Sequence, residues 1–299
     1  MRVGALWNLP EGSDATAGRP TAVDGLLAAI AAAGDAWAGA SAFEGAPRHG
    51  PWWEWDAVAV LSHGRACADR AACASQMARI HGVALLTNPA EAILLCAVRT
   101  HWRAVAAAAG VPVPRAVRIW DPAGRLPPMR YPVLVWDRGG AVESPPTAWN
   151  AGEVRAAAAA GVGRTGPPAL AECWQPGRTF AVAVLCGQPL RVLERQGRAD
   201  VPVWRCPAAV PPSMAGTLGQ LARRAALALR VDGPGLMQFH WDGQRLPRLT
   251  RPDALPDLAS GDPFMVAAEA SGIDAEGVFA ALLDHARRHL SVARRDARD

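Results

Sequence analysis

Apolar and polar positions repeat in two ways along this chain, and the changes between them mark its elements. Short apolar runs at Val3–Trp7, Asp56–Leu61 and Val83–Thr87 have the length of buried strands. Between them, Leu26, Leu27 and Ile30 fall at helical spacing. Thr21, with Asp24 three residues on, is the expected N-cap of that helix, and Gly34 closes it. Ala71–His81 reads as a second helix. Strands alternating with helices predict a small parallel sheet over residues 1–86. Residues 35–55 carry no period and read as an irregular connection. Trp52, Trp53 and Trp55 are expected to pack over the sheet edge rather than to form an aromatic binding surface.

Beyond residue 86 the pattern changes. Asn88-Pro89 opens a helix, a second helix follows, and Gly110 ends it. Val111-Pro112-Val113-Pro114 forces an extended segment that continues as a strand to Ile119. Further strands are expected at Tyr131–Asp137, Ala169–Trp174, Thr179–Cys186 and Leu190–Arg195. A long helix from Ser213, its expected N-cap, to Leu229 turns Met214, Leu218, Leu221, Ala222 and Ala225 inward. Leu236–His240 and Leu246–Thr250 then form a hairpin across Asp242-Gly243. The last helix runs from Ala275 to about Val292 and buries Val278, Leu282 and Leu283. His285 and His289 lie four apart on it. Arg287, Arg288, Arg294 and Arg295 surround them, which reads as a basic helix end and not a metal site.

Composition narrows the chemistry. The chain has 299 residues, 51% hydrophobic and 19% charged, enough for two or three domains with a large core. Its net charge of +4 is dispersed, which argues against a nucleic-acid partner. No apolar run approaches the ~18 residues of a membrane span, and the first apolar run reads as too short for a signal peptide. Six scattered cysteines without a CxxC pair suit reduced thiols and a cytoplasmic location. All 31 basic residues are arginine. No lysine is present to form a Schiff base, act as a general base or hold phosphate as a point charge.

Several short segments in fixed order carry a resemblance. They are Asn88-x-x-x-Ala92-Ile93, Arg99, Gly110 to Pro114, Pro132 to Asp137, Arg138 to Ser144, Ala171-Glu172-Cys173-Trp174, Gly177-x-Thr179-Phe180, Cys206-Pro207-Ala208, the hairpin, and Gly272-Ile273. Together they resemble the ATP-grasp ligases, in particular the D-alanine–D-alanine ligase-like group. The resemblance implies an α/β (α+β) architecture: an N-terminal parallel pre-ATP-grasp domain (1–86), a central ATP-grasp subdomain (87–180) and a C-terminal one (181–299). It implies ATP-dependent joining of a carboxylate to an amine through an acyl phosphate, with ATP and Mg²⁺ as cofactors and a small amino-acid-like ligand.

The same resemblance exposes departures. Arg99 stands where the family has a phosphate-binding Lys, and Arg keeps that charge. Trp136 stands where a second Lys bridges phosphates, and an indole cannot neutralise them. Arg138, two residues on, would compensate if the strand continued. Gly139 and Gly140 occupy the place of the phosphate-covering loop. Glu172, Cys173 and Trp174 cross the adenine pocket, and Thr179 replaces a ribose-binding acid. Gln238, Arg251 and Asp253 replace the Asp, Glu and Asn that hold Mg²⁺. Gln238 is neutral, Arg251 repels a cation, and only Asp253 is a good ligand. Two readings follow. In one, a diverged protein has lost ligation and binds a nucleotide weakly, another ligand, or a partner protein. In the other, an active ligase holds phosphates on Arg99, Arg138 and Arg251 and depends less on Mg²⁺. A plain α/β binding module is a third reading, against which the ordered segments argue. Homodimerisation is common in the family.

Overall fold

The computed structural model describes residues 1–8, 22–43, 52–61, 68–138, 145–174, 176–197 and 203–296. The expected caps and loops at Thr21, Gly139 and Gly140 lie outside them.

The first layer is a four-stranded parallel sheet in the order β2-β1-β3-β4. Its elements are β1 (Arg2–Asn8), α1 (Ala22–Ala32), β2 (Ala36–Phe43), β3 (Ala57–Val60), α2 (Ala68–Ile80) and β4 (Ala84–Leu85). Parallel strands are covered on both faces, which is why β3 reads Ala-Val-Ala-Val and is buried throughout. Between β2 and β3, Trp52–Glu54 forms a 3₁₀ turn. Two expectations are settled here. Trp52 and Trp55 are core residues in edge-on contact at 5.9 Å. Residues 36–43, expected to be irregular, form a strand paired along the whole of β1. Ala36–Phe43 is mostly Ala, Gly and Ser, so the strand comes from tertiary pairing and not from local propensity.

Next come α3 (Ala90–Ala97) and α4 (Arg99–Ala108), then an antiparallel sheet in the order β5-β8-β6-β7. It comprises β5 (Ala116–Ile119), β6 (Val133–Trp136), β7 (Thr147–Ala148) and β8 (Ala169–Cys173), with α5 (Ala151–Thr165) packed on one face. Helix α5 was not expected from periodicity. Its start is an N-cap, with the Asn150 side chain accepting from the Glu153 N–H at 3.0 Å. Gly110 ends α4 with φ +74°, a left-handed position that glycine fills without strain.

The third sheet is antiparallel in the order β11-β10-β9-β12-β13. Its elements are β9 (Arg178–Leu185), β10 (Gln188–Gln196), β11 (Val203–Arg205), α6 (Pro212–Ala228), β12 (Pro234–Trp241) and β13 (Arg248–Asp253). Phe180, Val182, Met237, Phe239 and Leu249 share a core with Leu218 and Leu221 of α6. Ala181, Ala183 and Leu236 face a second core with α7 (Pro263–Ala270) and α8 (Ala275–Asp296). The hairpin is real, but its second strand begins at Arg248 and runs on to Asp253. Leu246 is 60% exposed in the connection, because Trp241 Nε1 bonds the Arg245 carbonyl and fills that corner instead. Helix α6 is preceded by Pro211 at its N-cap, with Pro212 and not Ser213 opening the first turn. Among the described residues no helix is long and apolar enough to cross a membrane.

One side chain joins the first two stretches to the third. Asn88 is fully buried. Its Nδ2 donates to the carbonyls of Pro234 at 2.6 Å and Ala254 at 2.9 Å, and its Oδ1 accepts from the Gly233 N–H at 2.9 Å. Its neighbour Thr87 accepts from the Val60 N–H.

Candidate functional site

Arg99 opens α4 and Arg103 follows one turn later, so both side chains leave the same face of the helix. Both meet Glu172 of β8. Arg99 Nη2 donates to Glu172 Oε1 at 3.0 Å and Oε2 at 2.9 Å, and Arg103 Nη1 donates to Oε2 at 2.7 Å. Arg103 Nη2 also donates to the Pro114 carbonyl, the end of the extended segment. Trp136 lies across the other side of Arg99, its ring centroid 3.7 Å from the guanidinium carbon. Arg99 is 1% exposed and Glu172 2%. Burial lowers the Arg99 pKa against the pull of Glu172, and the charges of Arg103 and Arg251 lower it further. Burial lowers that of Arg103 as well, again opposed by Glu172.

The third sheet carries the other residues expected at the site. Cross-strand register places Gln238 beside Arg251 on one side and Ala181 on the other, and His240 beside Thr179. Gln238 and His240 alternate with Met237 and Phe239, which point into the α6 core, so they share the opposite face. A register shift after Gln238 leaves Thr250 bulged, its hydroxyl donating to the Gln238 carbonyl at 3.2 Å. Gly177 runs close beneath: a Cβ there would stand 2.7 Å from His240 Nε2 and would collide with the Trp241 carbonyl. Five buried nitrogens in these elements find no hydrogen-bond partner among the described residues: Arg99 Nη1, Trp102 Nε1, Trp136 Nε1, His240 Nε2 and Arg251 Nε.

The structure thus brings Arg99, Trp136 and Glu172 into one cluster and sets Arg251 near enough to act on Arg99 electrostatically. It does not add Arg138. Strand β6 stops at Trp136, the Arg138 N–H bonds Thr165 Oγ1 at 3.2 Å, and the side chain is exposed. Cys173 is half-buried and Trp174 is 37% exposed, tied to the preceding strand by its N–H on the Pro132 carbonyl at 3.1 Å. Thr179 is half-buried. Asp253 Oδ1 accepts from the Leu255 N–H at 2.9 Å, so this carboxylate shapes the turn after β13. With a neutral Gln238 and the Arg251 cation between them, these side chains do not fit Mg²⁺, which takes carboxylates and water at near-octahedral geometry. Among the described residues no group of three His, Cys, Asp or Glu is placed to hold a metal ion. Sequence reading missed Arg103, for which the four-residue spacing from Arg99 was the available signal. It also missed Gly177 as a close-approach position, which has no signal in a single sequence.

Two solved structures match this architecture along nearly its whole length. Both are D-alanine--D-alanine ligase from Bacillus anthracis. The structure complexed with ATP superposes with a TM-score of 0.78 at 11% identity, covering 98% of this chain and 99% of that one. The other gives 0.81 at 10% identity with the same coverage. The chain has the fold of the D-alanine–D-alanine ligases. This is the ATP-grasp architecture expected from the sequence, with a parallel α/β layer first and two antiparallel α+β layers after it. At such identity the likeness to the ligases is one of fold. No protein-family model matches the chain, and no curated protein matches it in sequence.

Proposed function

We propose that this chain is a non-catalytic ATP-grasp-fold protein that has lost carboxylate–amine ligation. Its three units would be residues 1–86, 87–180 and 181–299. One observation carries the reading: Arg99, which the resemblance aligns with a phosphate-binding Lys, is held by both oxygens of Glu172 in a buried pair. A guanidinium whose charge already faces a carboxylate contributes little to a polyphosphate, and Trp136 beside it adds none. Phosphoryl transfer needs free cations and a metal bridging the phosphates. The donor set at Gln238, Arg251 and Asp253 does not supply the latter. The cleft then takes ATP weakly or takes another small ligand, such as an amino-acid-like carboxylate, and the chain acts by binding, to a ligand, a second copy or a partner protein.

The second reading is an active ligase with an arginine-based phosphate site. The observation in its favour is the charge balance around Arg99, which feels Arg103 and Arg251 beside a single carboxylate, Glu172. Calorimetric titration with ATP, with and without Mg²⁺, separates the two. The wild type is expected to show no magnesium-dependent binding. Arg251→Glu, which restores an acid between Gln238 and Asp253, is expected to gain some. Magnesium-dependent micromolar binding by the wild type, with phosphate release on adding amino-acid pairs, would establish the ligase instead.

A further inference from the structure

A groove runs along the outer edge of the third sheet, between the first half of β10 and the first half of α6, and the turn after α7 closes one end. Strand β10 lies on the far side of β9 from Gln238 and Arg251, so the groove is separate from the expected metal positions. Its volume is about 860 Å³ and its walls are mostly apolar. Pro189 and Leu190 form one wall. Ala215, Gly216 and Gly219 form the other, at the spacing of a single helix face. Arg191 and Arg223 stand exposed on the rim, and neither pairs with a carboxylate among the described residues. None of the described residues lining the groove is acidic. Packing within the chain does not require the two glycines. A Cβ on Gly216 would meet nothing within 4 Å, and one on Gly219 would stand 3.7 Å from Pro189, an ordinary contact. Glycine inside a helix is destabilising relative to alanine. Helix α6 is therefore less stable than it could be, and what the glycines keep is the depth of the groove.

The strand beside the groove constrains what fills it. A peptide that adds as a further strand needs open N–H and C=O groups along β10. Pro189 has no N–H, the Arg191 N–H donates to Ser271 Oγ at 3.0 Å, and the Val192 carbonyl accepts from the Ala208 N–H at 2.8 Å. A helix satisfies its own backbone and needs only side-chain contacts. The α6 wall from Pro212 to Arg223 is about 16 Å long at the helical rise, the length of three turns. We infer that this groove docks an acidic amphipathic helix of a partner protein. Its apolar side chains, three and four apart, seat over Gly216 and Gly219, where the missing side chains let two helices approach closely. Its Asp and Glu side chains meet Arg191 and Arg223 in charge-assisted bonds.

The test pans a phage-displayed library of random dodecapeptides on the full-length chain. Recovered peptides are expected to be enriched in Asp and Glu, with apolar residues three and four apart. Synthesised and titrated by fluorescence anisotropy, they are expected to bind the wild type saturably. Binding is expected to weaken at least tenfold in Arg191→Glu and in Arg223→Glu, and to stay unchanged in Arg118→Glu, a control at an exposed arginine on β5. Gly216→Leu, which fills the groove, is expected to lose the peptide yet unfold at a higher temperature than the wild type, because leucine is the better helix former. That combination separates a filled groove from a damaged fold. No recovered peptide, recovery without acidic enrichment, or equal binding by the two groove arginine variants overturns the inference. Alternating apolar residues in the recovered peptides would mean a strand in place of a helix, and overturn it as well. Sedimentation of the wild type without peptide is the last arm: a dimer that Gly216→Leu dissociates gives the groove to a second copy of this chain, and the partner helix falls.

Discussion

Glu172 is the residue on which the buried cluster between α4 and β8 depends. Two buried arginines, four residues apart on α4, converge on its carboxylate from a position about seventy residues earlier in the chain. Buried ion pairs of this kind are poor sources of net stability, yet removing one partner strands the others. Glu172→Gln is therefore expected to cost about 3–5 kcal/mol in urea unfolding. Replacing Arg99, Arg103 and Glu172 together by methionine is expected to recover most of that loss. A Glu172→Gln penalty below about 1 kcal/mol would mean that the two guanidinium groups have found other acceptors. None of this was legible in the sequence. Arg99 was visible through its place in an ordered set of segments; Arg103 was missed, although its spacing from Arg99 offered a signal, and the Glu172 contact is long-range and leaves no local trace. The expectation that Arg99 meets a ligand's phosphates assumed that position in the fold determines the partner.

At the scale of elements, Asp262 caps α7, accepting from the Phe264 N–H at 2.9 Å. Burial pushes its pKa up to about 7, with Asp257 and Asp253 adding to the rise and the Phe264 N–H opposing it. An acid whose folded pKa is raised binds its proton more tightly folded than unfolded. Its contribution is complete below the ordinary carboxylate range and is lost as pH climbs through about 7. Thermal unfolding is thus expected to show stability falling between about pH 4 and pH 7, by at most about 4 kcal/mol. Asp262→Asn, which keeps a capping oxygen, is expected to flatten that slope, and an unchanged slope in the variant would place its origin elsewhere. Elements with strong periods were readable in advance, such as β3, the buried face of α6 and the first strand of the hairpin. Those without were not: β2 is built from small residues and exists because β1 pairs with it, and Ala-rich α5 shows little amphipathic contrast. The hairpin's second strand was placed early because Leu246 looked like a strand residue, whereas the register is fixed by Arg251 opposite Gln238.

For the whole molecule, Asn88 is the residue that reads least like a functional group and does most to hold the layers together. Its three buried bonds reach Gly233, Pro234 and Ala254, and each leaves an unmatched backbone group if the amide is removed. Asn88→Ala is expected to destabilise the chain by about 3 kcal/mol or more. Two transitions in place of one in denaturant unfolding would indicate that the first layer then melts separately from the third. The sequence marked Asn88 as the start of a helix and of a family segment but gave no sign of this role, since its partners lie near residues 233 and 254 and come together through folding alone.

The N-terminal ammonium of Met1 and the guanidinium of Arg287 both bond Asp35, and Val278, Phe279, Leu282 and Leu283 of α8 pack into the core that covers Val23, Leu26 and Ile30 of α1. The cover of the first layer is thus synthesised long after the layer itself. On the ribosome, α1 and the strands beneath it emerge early and wait with an apolar face open until α8 follows. A nascent chain stalled before residue 275 would carry that face unburied for the length of the pause, where chaperones bind it or neighbouring copies of the same chain meet it.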